Sequence, residues 1–287
     1  MLKRTDPAWL DAQYNNRALV PDHAEHLSGW AQASALVRET APAALDLRYG
    51  AASGQTLDVF PAAAGTGGGA PVLVFIHGGY WRALDKSDHS FIAPSFNADG
   101  ALVVVPNYDL CPLVTIEQIV LQLAEAIVWT RRHAQEHGGD PRRIAVAGHS
   151  AGGHLAAMLL SCRWQQVADD MPAQPLTGAL SISGLYDLEP IRLTPFLAPD
   201  LRLTPASVRR LSPAFFPRPR VPLYSVAGAD ESDEFVRQSR LIRDVWGPTA
   251  VPVCETVPGA NHFSVLRHLA DPASRLHELA LRLLGLR

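Results

Sequence analysis

Residues 143–154 read Arg143-Ile144-Ala145-Val146-Ala147-Gly148-His149-Ser150-Ala151-Gly152-Gly153-His154. An apolar run ends in Gly148-His149-Ser150-Ala151-Gly152, a G-x-S-x-G pattern, and Leu155-Ala156-Ala157-Met158-Leu159-Leu160 follows with small and helix-forming residues. The pattern predicts a short buried strand, a sharp turn and a helix, with the Ser150 hydroxyl at the apex pointing away from the sheet. Glycines two residues to either side suit a strained turn that neighbouring backbone must pass closely. At this glycine and serine content the pentapeptide arises by chance in about one chain in ten. Its weight therefore rests on what surrounds it.

Outward from the elbow, strand-like and helix-like stretches alternate. Residues 71–76 and 101–106 are continuous apolar runs of the kind that fill a strand covered on both faces. Residues 115–137 carry Ile119, Leu123 and Ile127 at helical spacing. Further strands are expected over 45–49, 56–60, 176–182, 221–228 and 251–257, a helix over 233–246, and a closing helical region over 263–284. This alternation predicts an α/β fold with a mostly parallel sheet wrapped by helices, in a single domain spanning 1–287. Residues 1–44 read as a helical preamble, with Asp6 as N-cap and Pro7 in the first helical position. Its Tyr14 and Trp30 are expected to pack in the core, with reach to a substrate pocket as the alternative. The proline-dense stretch 184–220 is expected to be a small cap or lid, with a helix starting at Thr204-Pro205. The glycine-rich run over 62–70 precedes a strand and lacks a Gly-Lys-Ser/Thr ending, so it reads as a flexible loop and not a phosphate loop.

Composition narrows the partners. With 47% hydrophobic and 18% charged residues the chain reads as an ordinary globular protein. A net charge of −3 supplies no basic excess to displace counterions, so a nucleic-acid partner is not expected. Cys111, Cys162 and Cys254 are odd in number and widely spaced, which predicts free thiols in a reducing compartment and no metal pair. No apolar leader or membrane-length run is visible, so a cytoplasmic location without membrane contact is expected. A homodimer is compatible with the sequence.

A serine hydroxyl needs a base to take its proton and a third group to hold that base. On this scaffold the acid comes next in the chain and the histidine last. Eleven histidines are present, and His262 is the one placed in the loop directly after the last expected strand, in Pro258-Gly259-Ala260-Asn261-His262-Phe263. The strand over 221–228 runs into Ala229-Asp230-Glu231-Ser232-Asp233-Glu234. The usual spacing in hydrolases of this scaffold places the acid three residues after the glycine ending that strand, which selects Glu231, with Asp230 as the alternative. Asp233 and Glu234 suit the first turn of the next helix. For the oxyanion, Ala151 supplies one amide and the turn His77-Gly78-Gly79-Tyr80 supplies others, from Gly78 and Gly79. One such donor is worth on the order of 3 kcal/mol of barrier lowering.

His77-Gly78-Gly79-Tyr80-Trp81, the elbow pentapeptide, Ser183-Gly184-Leu185-Tyr186-Asp187-Leu188-Glu189-Pro190 and Glu234-Phe235-Val236-Arg237-Gln238-Ser239 together resemble the kynurenine formamidase (arylformamidase) branch of the α/β-hydrolase fold. The resemblance runs from about Val72 to the final histidine loop. It implies cleavage of N-formylkynurenine to kynurenine and formate without metal or cofactor, with Ser150 as nucleophile, His262 as base and Glu231 as acid. The family's mammalian members look to have aspartate at that last position. Bacterial relatives resemble general carboxylesterases, so short-chain esters are the alternative substrates; a non-catalytic binding protein would be a third reading, one that an intact serine and histidine speak against. Tyr80, Trp81 and Tyr186 are candidates for contact with an aryl substrate, with packing of the turn against the lid as the alternative role of Tyr80 and Trp81, and Arg82, Tyr186 and Asp187 are candidates for its amino-acid end.

Overall fold

A computed structural model of the protein describes residues 5–63 and 69–287. Gly65, Gly67 and Gly68 of the expected glycine-rich loop lie outside the described residues, as do residues 1–4. The strands are β1 (Ala44–Arg48), β2 (Thr56–Phe60), β3 (Ala70–Ile76), β4 (Leu102–Pro106), β5 (Gly139–His149), β6 (Leu176–Ile182), β7 (Leu223–Gly228) and β8 (Val253–Val257). They form one sheet in the order β1-β2-β4-β3-β5-β6-β7-β8, antiparallel at β1–β2 and β2–β4 and parallel from β4 to β8.

The helices are α1 (Pro7–Tyr14), α2 (Asn16–Leu19), α3 (His23–Thr40), α4 (Ala93–Ala98), α5 (Ile116–His133), α6 (Ala151–Leu160), α7 (Trp164–Val167), α8 (Glu189–Arg192), α9 (Ala198–Leu201), α10 (Pro205–Leu211), α11 (Asp233–Trp246), α12 (Val265–Ala270) and α13 (Arg275–Leu284). None among the described residues is long and apolar enough to cross a membrane.

Side-chain alternation along the strands divides the core in two. Val72, Val74, Ile76, Leu102, Val104, Ile144 and Val146 face one layer, where Leu123 of α5, Leu155 of α6 and Phe235 of α11 cover them. Leu73, Phe75, Val103, Val105, Ala145 and Ala147 face the other, under Trp30 of α3, Phe96 of α4, Leu266 of α12 and Leu279 of α13. The central strands are therefore buried on both faces, which is why their sequences read as unbroken apolar runs. Helix α6 is buried on every side.

Local chemistry sets several boundaries. Thr115 caps α5 through a reciprocal pair with Gln118, whose side chain accepts the Thr115 amide at 2.8 Å. The helix expected over 115–137 ends at His133 and continues as a 3₁₀ turn to His137, closed by Gly138 in a left-handed conformation. The closing helical region is two helices. Asp271 is extended ahead of Pro272, and Ser274 then caps α13. Residues 86–98, to which no element is assigned from sequence, carry two 3₁₀ turns and α4.

The N-terminal helices lack a clean apolar period because buried polar contacts help to pin them. The Tyr14 hydroxyl donates to Glu234 Oε2 at 2.7 Å, and Arg237 clasps the same carboxylate with two bonds of 2.7 Å. Arg38 of α3 pairs with the buried carboxylate of Asp58, which also accepts from the buried Lys86 ammonium at 2.7 Å. Such charges hold the helices in register, since removing one partner strands the other in a dry interior.

Four of the seven buried histidines among the described residues, His77, His89, His149 and His154, share one effect. Burial disfavours the imidazolium and lowers all four, His89 to about 3 and His154 to about 4. An unfolded histidine takes its proton near pH 6.5. The stability these groups contribute is thus present above pH 6.5 and lost as pH falls from there toward their folded values. Between pH 7 and pH 5, His89 and His154 together are expected to lower the unfolding free energy by about 4 kcal/mol. Urea titrations at the two pH values check this, and equal unfolding free energies would show that the rings are solvated.

Candidate active site

The chain leaves β3 toward β4 on one side of the sheet and leaves β5 toward β6 on the other. Ligand crevices form where connections part in this way, outside the carboxyl ends of the two strands. Ile76 pairs with Gly148 across β3 and β5, so the His77-Gly78-Gly79 turn and the His149-Ser150 elbow emerge side by side. The two motifs, 70 residues apart in sequence, are thereby brought into contact.

Ser150 has φ 57° and ψ −116°, a strained conformation for a residue with a side chain, and α6 begins at the next residue. The elbow is tight. A Cβ on Gly148 would lie 2.1 Å from the Gly152 carbonyl oxygen, and one on Gly152 would lie 2.1 Å from that of Ile76. The turn closes with glycine alone at both places.

Ser150 Oγ lies 3.0 Å from His262 Nε2, and His262 Nδ1 lies 2.6 Å from Glu231 Oε2. The Glu231 side chain is fully buried, and its other oxygen accepts the Gly228 amide at 2.6 Å and the Ser183 hydroxyl. Nδ1 donating to the carboxylate leaves Nε2 as the acceptor for the serine hydroxyl. The loop bearing His262 is tied down from two sides. Asn261 Oδ1 accepts the amides of Phe263 and Ser264, and His149 Nε2 donates to the His262 carbonyl at 2.8 Å. Of the four carboxylates after β7, only Glu231 reaches the imidazole. Asp230 is exposed, Asp233 opens α11, and Glu234 is held by Tyr14 and Arg237.

The amides of Gly78 and Gly79 donate to no backbone carbonyl among the described residues, and Ala151 stands at the amino end of α6, where helical amides lack partners. A Cβ on Gly78 would meet the His149 carbonyl oxygen at 2.8 Å and Ser150 Cβ at 3.2 Å, so this backbone runs directly against the serine. His77 steadies the turn from below. Its ring stacks on Tyr108 at 4.3 Å, its Nε2 meets Asn107 Oδ1 at 3.1 Å, and the Tyr108 hydroxyl donates to its carbonyl at 2.9 Å. Amides so placed can accept the charge of a tetrahedral intermediate. Among the described residues no cluster of three or more His, Cys, Asp or Glu could hold a metal ion.

Ser150 and His262 open into a cleft of about 390 Å³, of a size that holds a small aromatic molecule. Tyr80 lines it, with its hydroxyl donating to the Tyr14 carbonyl at 2.6 Å. The other two aromatic candidates do not reach it. Trp81 turns at φ 56° into the core, where it is fully buried edge-on against His154 at 5.0 Å. Tyr186 is fully buried too, and its hydroxyl donates to Ser181 Oγ at 2.7 Å. Apolar bulk drew both inward, and the rings beside a motif proved to support it from beneath. Asp187 accepts the Glu189 amide and lies outside the cleft, whereas Arg82 lines it, bound to Asp200 and to the Phe196 carbonyl at 3.1 Å.

The preamble supplies a wall that motif reading does not find. Asn16, Arg17 and Leu27 line the cleft, and so does Trp30, which also packs in the core as expected from sequence. Phe196 and Asp200 come from the 184–220 segment. No fixed spacing marks any of these residues.

Residues 73–234 match the family model described as the alpha/beta hydrolase fold. The chain is 31% identical to a kynurenine formamidase of Danio rerio, over 91% of this chain and 88% of that protein. It is 32% identical to the esterase LipC of Mycobacterium tuberculosis, over 48% of this chain and 35% of that one. Among solved structures, a thioesterase candidate from a Silicibacter species superposes with a TM-score of 0.81 at 30% identity, covering 93% of this chain and 97% of that one. A match over 91% of the chain necessarily takes in part of the N-terminal helices, which the shared hydrolase core does not include. The chain thus belongs to the α/β-hydrolase fold family, in its kynurenine formamidase-like branch.

Proposed function

We propose that the protein hydrolyses an aryl formamide, N-formylkynurenine, to kynurenine and formate. Ser150 Oγ attacks the formyl carbon as His262 Nε2 takes its proton. The amides of Gly78, Gly79 and Ala151 receive the oxyanion. As the C–N bond breaks, His262 returns the proton to the arylamine nitrogen, leaving a formyl ester on Ser150. A water molecule, deprotonated by the same imidazole, then attacks that ester and releases formate, restoring the serine. Glu231 holds the ring in the required tautomer throughout.

The observation that carries this reading is the unbroken Ser150–His262–Glu231 hydrogen-bond chain opening on a cleft walled by the N-terminal helices. Similarity to the formamidase extends over 91% of the chain, against 48% for the esterase LipC, which favours a formamide over a simple ester. Both the preamble and the 184–220 segment contribute to one cleft, which supports a single domain. Three free cysteines support a reducing compartment. A short-chain carboxylesterase is the second reading, supported by the likeness to LipC, because the same machinery cleaves an ester.

Values of kcat/KM for N-formylkynurenine, p-nitrophenyl acetate and p-nitrophenyl butyrate separate the two. The formamide is expected to be turned over at least as efficiently as the esters. A formamide slower than every ester by several orders of magnitude would transfer the protein to the esterase reading.

A further inference from the structure

Three charged side chains other than imidazoles line the cleft: Arg17, Arg82 and Asp200. Two of them are spoken for. The Arg82 guanidinium pairs with Asp200, donates to the Phe196 carbonyl at 3.1 Å and lies over the Phe196 ring at 5.5 Å. Arg17, in α2, makes no hydrogen bond, ion pair or ring contact among the described residues, and it is exposed at the mouth. With Arg82 and Asp200 cancelling one another, the wall carries a net positive charge that belongs to Arg17.

Formyl is the smallest acyl group, so nearly all of a formamide substrate is leaving group, and the leaving group must fill the cleft. Its ring has apolar company in Leu27, Phe196 and Phe263. The geometry points to Arg17 as the anchor for a carboxylate on that leaving group, which makes this a site for aryl formamides whose leaving group bears a carboxylate. This rests on the formamidase reading and names what selects its substrate. A planar guanidinium receives a carboxylate through two parallel hydrogen bonds, whereas a lysine offers only a point charge. Arg17 lies outside residues 73–234, so the selecting group sits on a segment added to the common hydrolase core.

The test compares N-formylkynurenine with N-formylkynuramine, which lacks only the carboxylate, on the wild type, Arg17→Ala and Arg17→Lys. In the wild type the carboxylated substrate is expected to have the higher kcat/KM. Arg17→Ala should shrink that ratio about ten- to hundredfold, chiefly through KM with kcat little changed, as loss of a charge-assisted hydrogen bond does. Arg17→Lys should recover part of it. If Arg17→Ala lowers both substrates by one factor, or leaves the ratio intact, the anchor is refuted. Should the wild type cleave no formamide, the formamidase reading fails by itself, and 4-acetoxybenzoate against phenyl acetate puts the same question to Arg17.

Discussion

Ser150→Ala is expected to lower kcat on any cleaved substrate by about 10⁶-fold while leaving the folded state and substrate binding in place. Alanine removes only the oxygen that faces His262 Nε2 at 3.0 Å and keeps the Cβ that already fits against Gly78. The residual rate then comes from the amides and from binding alone. Urea unfolding confirms that the variant is folded, and steady-state kinetics reads the loss. A variant that keeps more than a hundredth of the wild-type rate would place the nucleophile elsewhere and undo the mechanism.

Glu231→Gln should cost about 10⁴-fold in kcat, and Asp230→Asn almost nothing. The asymmetry follows from which donors already surround the carboxylate. The Gly228 amide and the Ser183 hydroxyl both donate to Oε1, so a glutamine must turn its oxygen toward them. Its amide NH₂ then faces His262 Nδ1. Two donors cannot meet, and the imidazole is driven to the tautomer with its proton on Nε2, where it cannot accept from Ser150. A factor of 10⁴ corresponds to about 5.4 kcal/mol in barrier. Asp230 is solvent-exposed, and only its backbone amide contributes, bonded to the Ala260 carbonyl at 3.0 Å. Kinetics of the two variants decides, and a greater loss in Asp230→Asn would reassign the acid.

What the sequence discloses here and what it conceals have a common physical origin. The elbow, the His77-Gly78-Gly79 turn and the loop with His262 are legible because each is a local device. Glycines are demanded by close backbone, and a histidine after a last strand is demanded by topology. The acid is less so, because four carboxylates compete in five residues and only three-dimensional burial separates Glu231 from Asp230. The cleft walls are hidden more deeply. Asn16, Arg17 and Trp30 line the same cleft as Ser150 from more than a hundred residues away in the chain, without a period or motif to mark them. Tyr186 shows the converse failure, where nearness to a motif suggests contact with substrate and the hydrophobic effect places the ring in the interior. For Trp81 the same effect selects packing over substrate contact, two roles the sequence leaves open.

The hydrogen bond from Tyr14 to Glu234 joins residues 220 apart in the chain. A ribosome adding about 5–20 residues per second needs roughly 10–40 s between making one partner and the other. Through that interval α1 has no α11 to dock upon, because Phe235, against which the Tyr14 ring packs edge-on at 5.7 Å, is not yet made. Helix α1 is therefore among the first parts synthesised and among the last to be fixed in place.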